Sequence, residues 1–593
     1  MLETMKRLAG LAFCICLASA EGPAQPASVI LISIDTLRAD HLSAYGYRRI
    51  RTPNIDSFAR QGTVFTEVSS QIPLTLPSHT SLFTSTYPFE NGIEENVEAV
   101  PSSAVTLASI LRSHGYETAA FIGSDMLDRR FGLDKGFDEY DSPFGAPAAR
   151  TGNPYSFRVR RDGAIVLGAA NQWLSAHRGQ QVFLFIHLFD LHTPYMRMPA
   201  KRSSEPETAG YNAEIEYVDR ILGRFEQSLA QDGWWRKSMV VLLADHGESL
   251  GDHGELSHGY FIYESTLHVP LIVHWPDGAP KYPDRISQPA GLIDVAPTIL
   301  DALRLPGPPS FDGVSLLKLN GARAVYGESV YARDSFHWAA LRSLRMGRWK
   351  YIDAPRPELF DLEKDPAEQS NLVRANSAEA AALRSELARL MARHARAHPA
   401  PVRDSSGGTR AALGSLGYLS GGSRGAPPGQ GPDPKDRLAE YQMFDRALDA
   451  MYSRRLDAAI RGLREVLKLD RDNLPDRERL GDAYLRAGKP GEAVREWTAA
   501  LAANPEYAPV AQALGEFYMA RQDWTKARPY LQRALAAASG DATVRFELGV
   551  VERHSGMFKE AMEHLRAACG ANPSPIACQD ELRAAERGTK TAP

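Results

Sequence analysis

The sequence predicts an α/β fold of three layers, in which helices cover both faces of a mostly parallel sheet, followed by an all-α array. Three apolar runs, 29–34, 182–188 and 239–243, are each followed closely by acidic or histidine residues. This is the pattern of buried parallel strands that end at a site. The residues beyond 437 are helical and repeat with a fixed period. A length of 593 residues is enough for two or more domains.

Composition and charge exclude several classes of protein. Hydrophobic residues make up 44% of the chain, and the formal net charge is -4. These values are ordinary for a globular protein and exclude a fibre or a disordered tail. Nothing in the charge indicates binding to nucleic acid, because a polyanion would need a local basic patch.

The N-terminus has the pattern of a secretory signal peptide over residues 1–20. Lys6-Arg7 precedes the short apolar run 8–18, and Ala18-Ser19-Ala20 forms an A-x-A cleavage site. The predicted location is therefore secreted or periplasmic. The alternative is a membrane anchor, but the run is well short of the roughly 20 residues that a bilayer needs. No later segment predicts a transmembrane helix.

Two cysteines remain after removal of the signal peptide, Cys569 and Cys578. In an oxidising compartment two thiols suggest one disulfide. It would join the last helix of the array to a capping helix. The alternative is two buried free thiols.

The array is predicted to be tetratricopeptide repeats, about four of them, over residues 437–590. One alanine column recurs every 34 residues (493−459, 527−493, 561−527), and leucine and glycine columns keep the same step, with Ala447 replacing glycine in the first repeat. This period and the small residues where paired helices cross are typical of such repeats. A plain helical bundle is the alternative. Repeat arrays bind a protein or peptide partner on a concave face. Residues 401–436, rich in Gly, Pro and Ser, are predicted to be a linker.

Four separated motifs carry a family resemblance. They are the segment 29–40 with Asp35, the segment Thr75-Leu76-Pro77-Ser78-His79, the segment Asp245-His246-Gly247-Glu248, and the segment Pro357–Glu363. In this order they resemble the sulfatase branch of the alkaline phosphatase superfamily over residues 27–400. The resemblance implies an alkaline-phosphatase-like sandwich, a small α+β subdomain from about 320 to 400, and an exported metal-dependent ester hydrolase.

The resemblance also implies roles for individual residues. Asp35, Asp245 and His246 would be metal ligands, and Thr75 would lie on the metal as the attacking hydroxyl. A threonine hydroxyl is inert at neutral pH unless its pKa is lowered, so this role requires the metal.

Four departures from the sulfatase pattern bear on the substrate. Common sulfatases convert a cysteine or serine to formylglycine where this chain has Thr75, which cannot be converted. His79 replaces the arginine of that motif, Thr36 replaces a second acidic residue, and the segment 122–127 lacks the usual lysine and histidine. We therefore expect hydrolysis of phosphoesters (phosphodiester, phosphonate or phosphomonoester) through a covalent intermediate on Thr75. The alternatives are a sulfuric ester hydrolase and a tetratricopeptide scaffold with a degenerate enzyme domain.

The number and identity of the metals stay open at this point. Asp190, His192 and His258 could hold a second metal; otherwise His192 and His258 would be hydrogen-bond donors to the substrate, as catalytic residues around a single metal. A ligand set with imidazole favours zinc or manganese, and calcium is the alternative. The substrate would be a small-molecule, glycan or lipid ester.

Two further residues have alternative interpretations. Asp40 is either a structural partner of Arg38 or part of the site. His253 either supports its loop or contacts the substrate.

Overall fold

A computed structural model describes residues 27–591 except 145–159, 198–205, 319–320, 322, 395–401, 404–430, 453, 472, 540 and 572–574. The predicted signal peptide and most of the predicted linker lie outside the described residues. In the part of the chain that is described, no helix is both long and apolar enough to span a bilayer.

In the described residues, fifteen strands form one large sheet, one small sheet and one isolated pair. In chain order they are β1 (Ser28–Ile34), β2 (Thr63–Ser69), β3 (Glu98–Ala99), β4 (Glu117–Phe121), β5 (Glu139–Asp141), β6 (Val182–Leu188), β7 (Ser238–Leu243), β8 (His268–His274), β9 (Arg285–Ile286), β10 (Ala290–Gly291), β11 (Ala324–Ser329), β12 (Leu341–Met346), β13 (Trp349–Asp353), β14 (Glu358–Asp361) and β15 (Val402–Arg403). The large sheet has nine strands in the order β10-β2-β8-β7-β1-β6-β4-β5, with β9 also paired to β2. Only the pairings of β8, with β2 and with β7, are antiparallel, so the prediction of a mostly parallel sheet is confirmed.

Strand β1 lies at the centre of this sheet, and all seven of its residues are buried. It pairs in parallel with β6 on one side and β7 on the other, with Ile34 opposite Leu188 and Ser33 opposite Leu243. Continuous apolar sequence is what a strand covered on both faces requires. Because the three strands run in the same direction and end at the same level, the polar residues that follow them share one edge of the sheet.

The helices of the first part cover both faces of the sheet. They are α1 (Pro53–Arg60), α2 (Thr75–Thr84), α3 (Pro88–Asn91), α4 (Leu107–Ser113), α5 (Gly163–Ala176), α6 (Pro206–Gln231), α7 (Trp234–Lys237), α8 (Glu264–Leu267), α9 (Val295–Ala302), α10 (Tyr331–Phe336) and α11 (Ser377–His394). Helices α1, α5 and α7 each contact α6 in one layer, and α2 contacts α4 and α9 in the other. A four-stranded antiparallel sheet, β11-β12-β13-β14, packs against α11 through apolar side chains. The three-layer fold and the small α+β subdomain are thus confirmed.

The C-terminal part is all helical, as predicted. Its helices are α12 (Leu438–Tyr452), α13 (Leu456–Leu469), α14 (Leu474–Arg486), α15 (Pro490–Ala503), α16 (Ala508–Met519), α17 (Trp524–Ala537), α18 (Ala542–His554), α19 (Phe558–Ala571) and α20 (Pro575–Thr591). Successive helices pair, and α20 caps the last pair.

The glycine column marks where paired helices cross. A Cβ on Gly481 would overlap Trp497, and one on Gly515 would overlap Leu531. In the first repeat the small residue has changed sides, because Ala447 faces Gly462 of the partner helix. The first repeat therefore keeps the close crossing without glycine at the usual position.

The disulfide between Cys569 and Cys578 is present and joins α19 to the capping helix α20. The two Cα atoms are 5.9 Å apart, within the range that an ordinary disulfide spans. The prediction of this disulfide is confirmed.

The repeat array packs directly on the first part of the chain. Tyr441 stacks on Tyr260 with ring centroids 4.3 Å apart. The last residues of the predicted linker are bound there too: the Ala339 amide donates to the Pro432 carbonyl (2.9 Å), and Asp433 accepts a 2.9 Å hydrogen bond from the backbone of residue 356. The two parts share one apolar core along this contact.

Candidate active site

The predicted metal ligands and the predicted nucleophile meet at the edge of the sheet where β1 and β7 end. Asp35 directly follows β1, Asp245 and His246 follow β7 closely, and Thr75 is the first residue of α2. All four side chains are buried. The Thr75 hydroxyl donates a 3.3 Å hydrogen bond to Asp35 Oδ2. Sequence-distant segments are thus brought into one cluster.

The backbone fixes the Asp245 carboxylate. The amide of Thr36 donates to Asp245 Oδ1 at 3.2 Å, and the amide of His246 donates to the same oxygen at 2.9 Å. The Ser78 hydroxyl, one turn into α2, donates to the Asp245 carbonyl at 2.7 Å. One carboxylate oxygen is therefore held by the strand ends, and the other faces the cluster.

Three ligand atoms of this cluster fit a divalent cation. Asp35 Oδ1, Asp245 Oδ2 and His246 Nε2 are buried and have no hydrogen-bond partner among the described residues. One ligand atom from each of these residues lies within 4.8 Å of the other two. Buried polar atoms are normally paired, and a set of orphaned carboxylate and imidazole atoms that converge is explained by a cation between them.

Burial displaces the pKa values of these groups, and a bound cation would reverse the shift of the two carboxyls. Burial raises the pKa of Asp35 to about 7. Burial, and secondarily the charge of Asp35, raises the pKa of Asp245 to about 7. Burial, reinforced by neighbouring His258, lowers the pKa of His246 to about 4. The imidazole is therefore neutral and able to bind a metal near neutral pH, whereas the two carboxyls hold protons below that range.

His79 and His187 form a second group that shares Asp245. One ligand atom from each of the three residues lies within 4.8 Å of the others. His79 is held by the Thr75 carbonyl (Nδ1, 2.7 Å) and the Ser33 hydroxyl (Nε2, 2.9 Å). Because both ring nitrogens of His79 already have partners, this group fits a cation less well than the first.

His187 was missed by the sequence analysis. It lies inside β6, opposite Ser33 of β1, and its Nε2 is 3.3 Å from Asp35 Oδ2. The only signal was a polar residue within an apolar strand. Burial lowers its pKa to about 4, so the ring stays neutral beside the cluster.

Asn96 was also missed. Its Oδ1 accepts a 2.9 Å hydrogen bond from the Leu76 amide in the first turn of α2. Its Nδ2 is buried and has no hydrogen-bond partner in the part of the chain that the structure describes. This places an amide group beside the N-terminus of α2 and therefore close to Thr75.

The proposed second metal set is brought together only in part. The rings of His192 and His258 have centroids 5.1 Å apart, and those of His258 and His246 are 4.4 Å apart. Asp190 instead accepts a 3.2 Å bond from the Gly163 amide and forms a 3.4 Å ion pair with Arg197. Among the described residues, Asp190, His192 and His258 do not form a group with ligand atoms within 4.8 Å of one another.

His258 is oriented by Glu248, which the sequence analysis named only within its motif. Glu248 Oε1 is 3.1 Å from His258 Nδ1, and both side chains are buried. Burial raises the pKa of Glu248 to about 8 and lowers that of His258 to about 4. A proton shared along this contact fixes the plane of the imidazole beside His246.

The two residues left open have structural partners. Asp40 accepts two hydrogen bonds from Arg38, at 2.8 and 2.7 Å. His253 stacks on Tyr263 with centroids 3.6 Å apart, and its Nε2 is 3.0 Å from the Ala367 carbonyl. Both support the loops around the cluster.

Comparison with known families agrees with both parts of the chain. Residues 27–305 match the sulfatase family, and residues 251–396 match the family described as N-sulphoglucosamine sulphohydrolase, C-terminal. Tetratricopeptide repeats match residues 444–509, 478–542 and 513–574.

Several curated proteins are similar to this chain. Arylsulfatase K of Gallus gallus is 22% identical over 444 residues, covering 62% of this chain and 82% of that protein. Steryl-sulfatase of Mus musculus is 24% identical and covers 66% of this chain and 85% of its own. An arylsulfatase of Clostridium perfringens is 29% identical over 181 residues, covering 29% of this chain and 37% of its own.

Solved structures share the fold. A phosphonate monoester hydrolase of Agrobacterium radiobacter superposes with a TM-score of 0.52 at 21% identity, covering 62% of this chain and 96% of its own. A protein in complex with its substrate D-glucosamine-2-N,6-O-disulfate gives a TM-score of 0.53 at 19% identity, covering 62% and 98%. These structures show the fold alone; the family matches over residues 27–396 identify this part as a sulfatase-family domain, an ester hydrolase by family, and the matches over residues 444–574 identify tetratricopeptide repeats.

Proposed function

We propose that this sulfatase-family ester hydrolase cleaves phosphoesters with Thr75 as the nucleophile. The observation that carries the proposal is the position of Thr75: it begins α2, and its hydroxyl donates to Asp35 within the buried cluster. The partial positive charge of a helix N-terminus favours an anionic oxygen at that point. No other hydroxyl of α2 is hydrogen-bonded to a side chain of the proposed metal ligands in the described residues.

The proposed ligands are Asp35, Asp245 and His246, together with Thr75. A divalent cation bound by these residues would lower the pKa of the Thr75 hydroxyl and neutralise negative charge on the ester oxygens. The chain itself orients the hydroxyl through Asp35 Oδ2 and fixes Asp245 through two backbone amides. Zinc or manganese is proposed because an imidazole is among the ligands, and calcium is the alternative.

His192 and His258 are proposed to act on the substrate. Their rings are adjacent, and Glu248 holds the orientation of His258. His258 lies beside His246, and the neutral rings of His192 and His258 are suited to donate hydrogen bonds to the ester. A second metal at Asp190, His192 and His258 would require Asp190 to leave Gly163 and Arg197.

Sulfate-ester hydrolysis is the second candidate, and the comparisons favour it over phosphoester hydrolysis. The family match is to sulfatases, and the curated relatives described above are named as sulfatases. Against this, Thr75 cannot become formylglycine, and His79, where a sulfatase has arginine, is bound to Thr75 and Ser33 rather than extended toward a substrate.

The proposed setting is the periplasm or the exterior of the cell, following from the N-terminal pattern. The array is proposed to bind a protein or peptide partner.

The deciding experiment compares matched aryl esters on purified protein with measured metal content. We expect an aryl phosphodiester or phosphonate to turn over faster than the matching aryl sulfate. Thr75→Ala should lower turnover by several orders of magnitude, because a covalent step is lost. Thr84→Ala is the control, since it makes the same change at the other end of α2.

Two results would overturn parts of this proposal. A sulfate turned over more than about tenfold faster than the phosphoester, a transition-state difference of about 1.4 kcal/mol, would establish the second candidate. Thr75→Ala activity close to that of Thr84→Ala would remove Thr75 as the nucleophile.

A further inference from the structure

The loop that carries His258 has an unusual backbone. Within the His258 loop, defined as residues 249–263, Leu250 and His253 have φ values of 55° and 52°, and two of the glycines beside them also have positive φ. Residues other than glycine rarely adopt a positive φ, and they keep it only where contacts with the surrounding structure hold the backbone in that conformation. The contacts that impose it therefore determine where His258 lies.

The loop is tied at its base and internally. Arg38 donates to the Ser249 carbonyl at 3.2 Å and to Asp252 at 2.8 Å. The Ser249 amide donates to the Ser257 carbonyl at 2.8 Å. Glu255, fully buried, accepts a 2.7 Å bond from the Tyr260 amide. These bonds close a compact turn with His258 between two fixed points.

The tip of the loop is held by the repeat array. Gln442 of α12 donates from Nε2 to the Gly254 carbonyl at 2.7 Å. Leu438, at the start of the same helix, lies so close that a Cβ on residue 254 would overlap it. Gly254 has φ of 81°, a conformation that favours glycine.

An aromatic layer fixes α12 against the same loop. Tyr441 stacks on Tyr260, two residues after His258. Tyr260 also makes an edge contact with Trp338 at 5.5 Å, and Phe444 makes one with Phe336 at 5.3 Å. The first repeat helix thus packs on the loop as part of the enzyme core.

From these contacts we infer that α12 is a working part of the active site, with Gln442 as a positioning residue that acts on His258 through the tip of the His258 loop. The inference rests on the proposed function in one respect, that His258 serves the reaction. It goes beyond that function by making the first repeat helix necessary for turnover rather than only for partner binding.

The test uses the full-length protein and two measurements. Gln442→Ala and Gln442→Glu both remove the donor, the second with little change in shape. Gln532→Ala, the same substitution on the exposed face of α17, is the matched control. Hydrogen–deuterium exchange of residues 249–263 reports the loop, and kcat and KM on the aryl ester, with metal content, report the site.

In both Gln442 variants we expect the loop amides to exchange faster than in the wild type. We also expect kcat to fall about fivefold to tenfold, which corresponds to the loss of one hydrogen bond. Metal content and exchange of the β1 amides should match the wild type, because the ligands lie on other segments. Gln532→Ala should behave as the wild type in every measurement.

Three results would overturn the inference. The first is wild-type loop exchange in both Gln442 variants; the second is faster exchange without loss of kcat; the third is an equal loss in Gln532→Ala, which would indicate general weakening of the array. If the wild type cleaves no ester, the proposed function fails, and the exchange of the loop still decides whether Gln442 holds it.

Discussion

Metal affinity should fall as the pH falls through neutrality, and the buried carboxyls determine the size of the effect. Burial raises the pKa of both Asp35 and Asp245 to about 7, and a cation can bind only after their protons leave. His246 is already neutral in this range, because its pKa lies at about 4. Protons released on binding should therefore come from the two carboxyls.

The magnitude follows from the number of protons displaced. For one carboxyl with a pKa of about 7, the ionised fraction falls about tenfold between about pH 8 and about pH 6. This weakens the free energy of metal binding by about 1.4 kcal/mol. Two independent carboxyls would give about a hundredfold loss of affinity over that interval. Because the charge of Asp35 itself raises the pKa of Asp245, the pair tends to share one proton, and the expected loss lies between these limits.

Calorimetric titration of metal-free protein with Mn²⁺ at several pH values measures this directly. Buffers of different ionisation enthalpy give the number of protons released. Glu248 has a pKa raised to about 8 by burial and titrates in the same range without being a proposed ligand, so Glu248→Gln is the control. Asp245→Asn should reduce the pH dependence to that of one carboxyl. An affinity that is constant with pH, with no proton release, would refute the assignment of Asp35 and Asp245 as ligands.

Three further changes have defined outcomes. His246→Ala should lower bound metal and turnover together by at least about tenfold; full metal content with reduced rate would show that His246 is not a ligand. His258→Gln should leave metal stoichiometry unchanged and reduce kcat, and a fall from about two metals to about one would instead establish a binuclear site. Cys569→Ser should lower the stability of the array by about 2–3 kcal/mol in urea unfolding, as for a short disulfide loop. Two alkylatable thiols in exported wild-type protein would contradict that expectation.

The central strands and their ends could be predicted from the sequence, because a strand with helices packed on both faces has a continuous run of apolar residues. Asp35 and Asp245 follow such runs, and the parallel pairing of β1 with β7 brings them together. The pairing itself, which joins residues 209 apart in the contact of Thr36 with Asp245, is a tertiary property. The rule that sites lie beyond the carboxyl ends of parallel strands predicts one shared edge, but it does not say which strands are neighbours.

The remaining site residues depend on side-chain direction, which the sequence does not encode locally. His187 and the apolar residues of its strand alternate between two covered faces, so nothing in the run distinguishes the face that meets Asp35. One of the two alternatives placed Asp190 and His192 on a shared metal, which two residues on one side of an extended segment could hold. The chain bends after β6, and Asp190 turns to Gly163 and Arg197 while His192 lies beside His258.

The contact between the repeats and the enzyme can be recognised in the sequence by comparing equivalent positions of successive 34-residue repeats. At the positions of Tyr441 and Phe444, the second repeat has Pro475 and Glu478 (441+34, 444+34). Tyr441 stands out where the array meets Tyr260, because the later repeats have Pro475, Pro509 and Thr543 at its position (441+34, 441+68, 441+102), whereas the Phe444 position also holds Phe546 in the fourth repeat (444+102). A departure from the repeat pattern on one face of one helix indicates a neighbour other than the next repeat. Here the neighbour is the enzyme itself, because the first repeat shares an apolar core with it as well as belonging to the array.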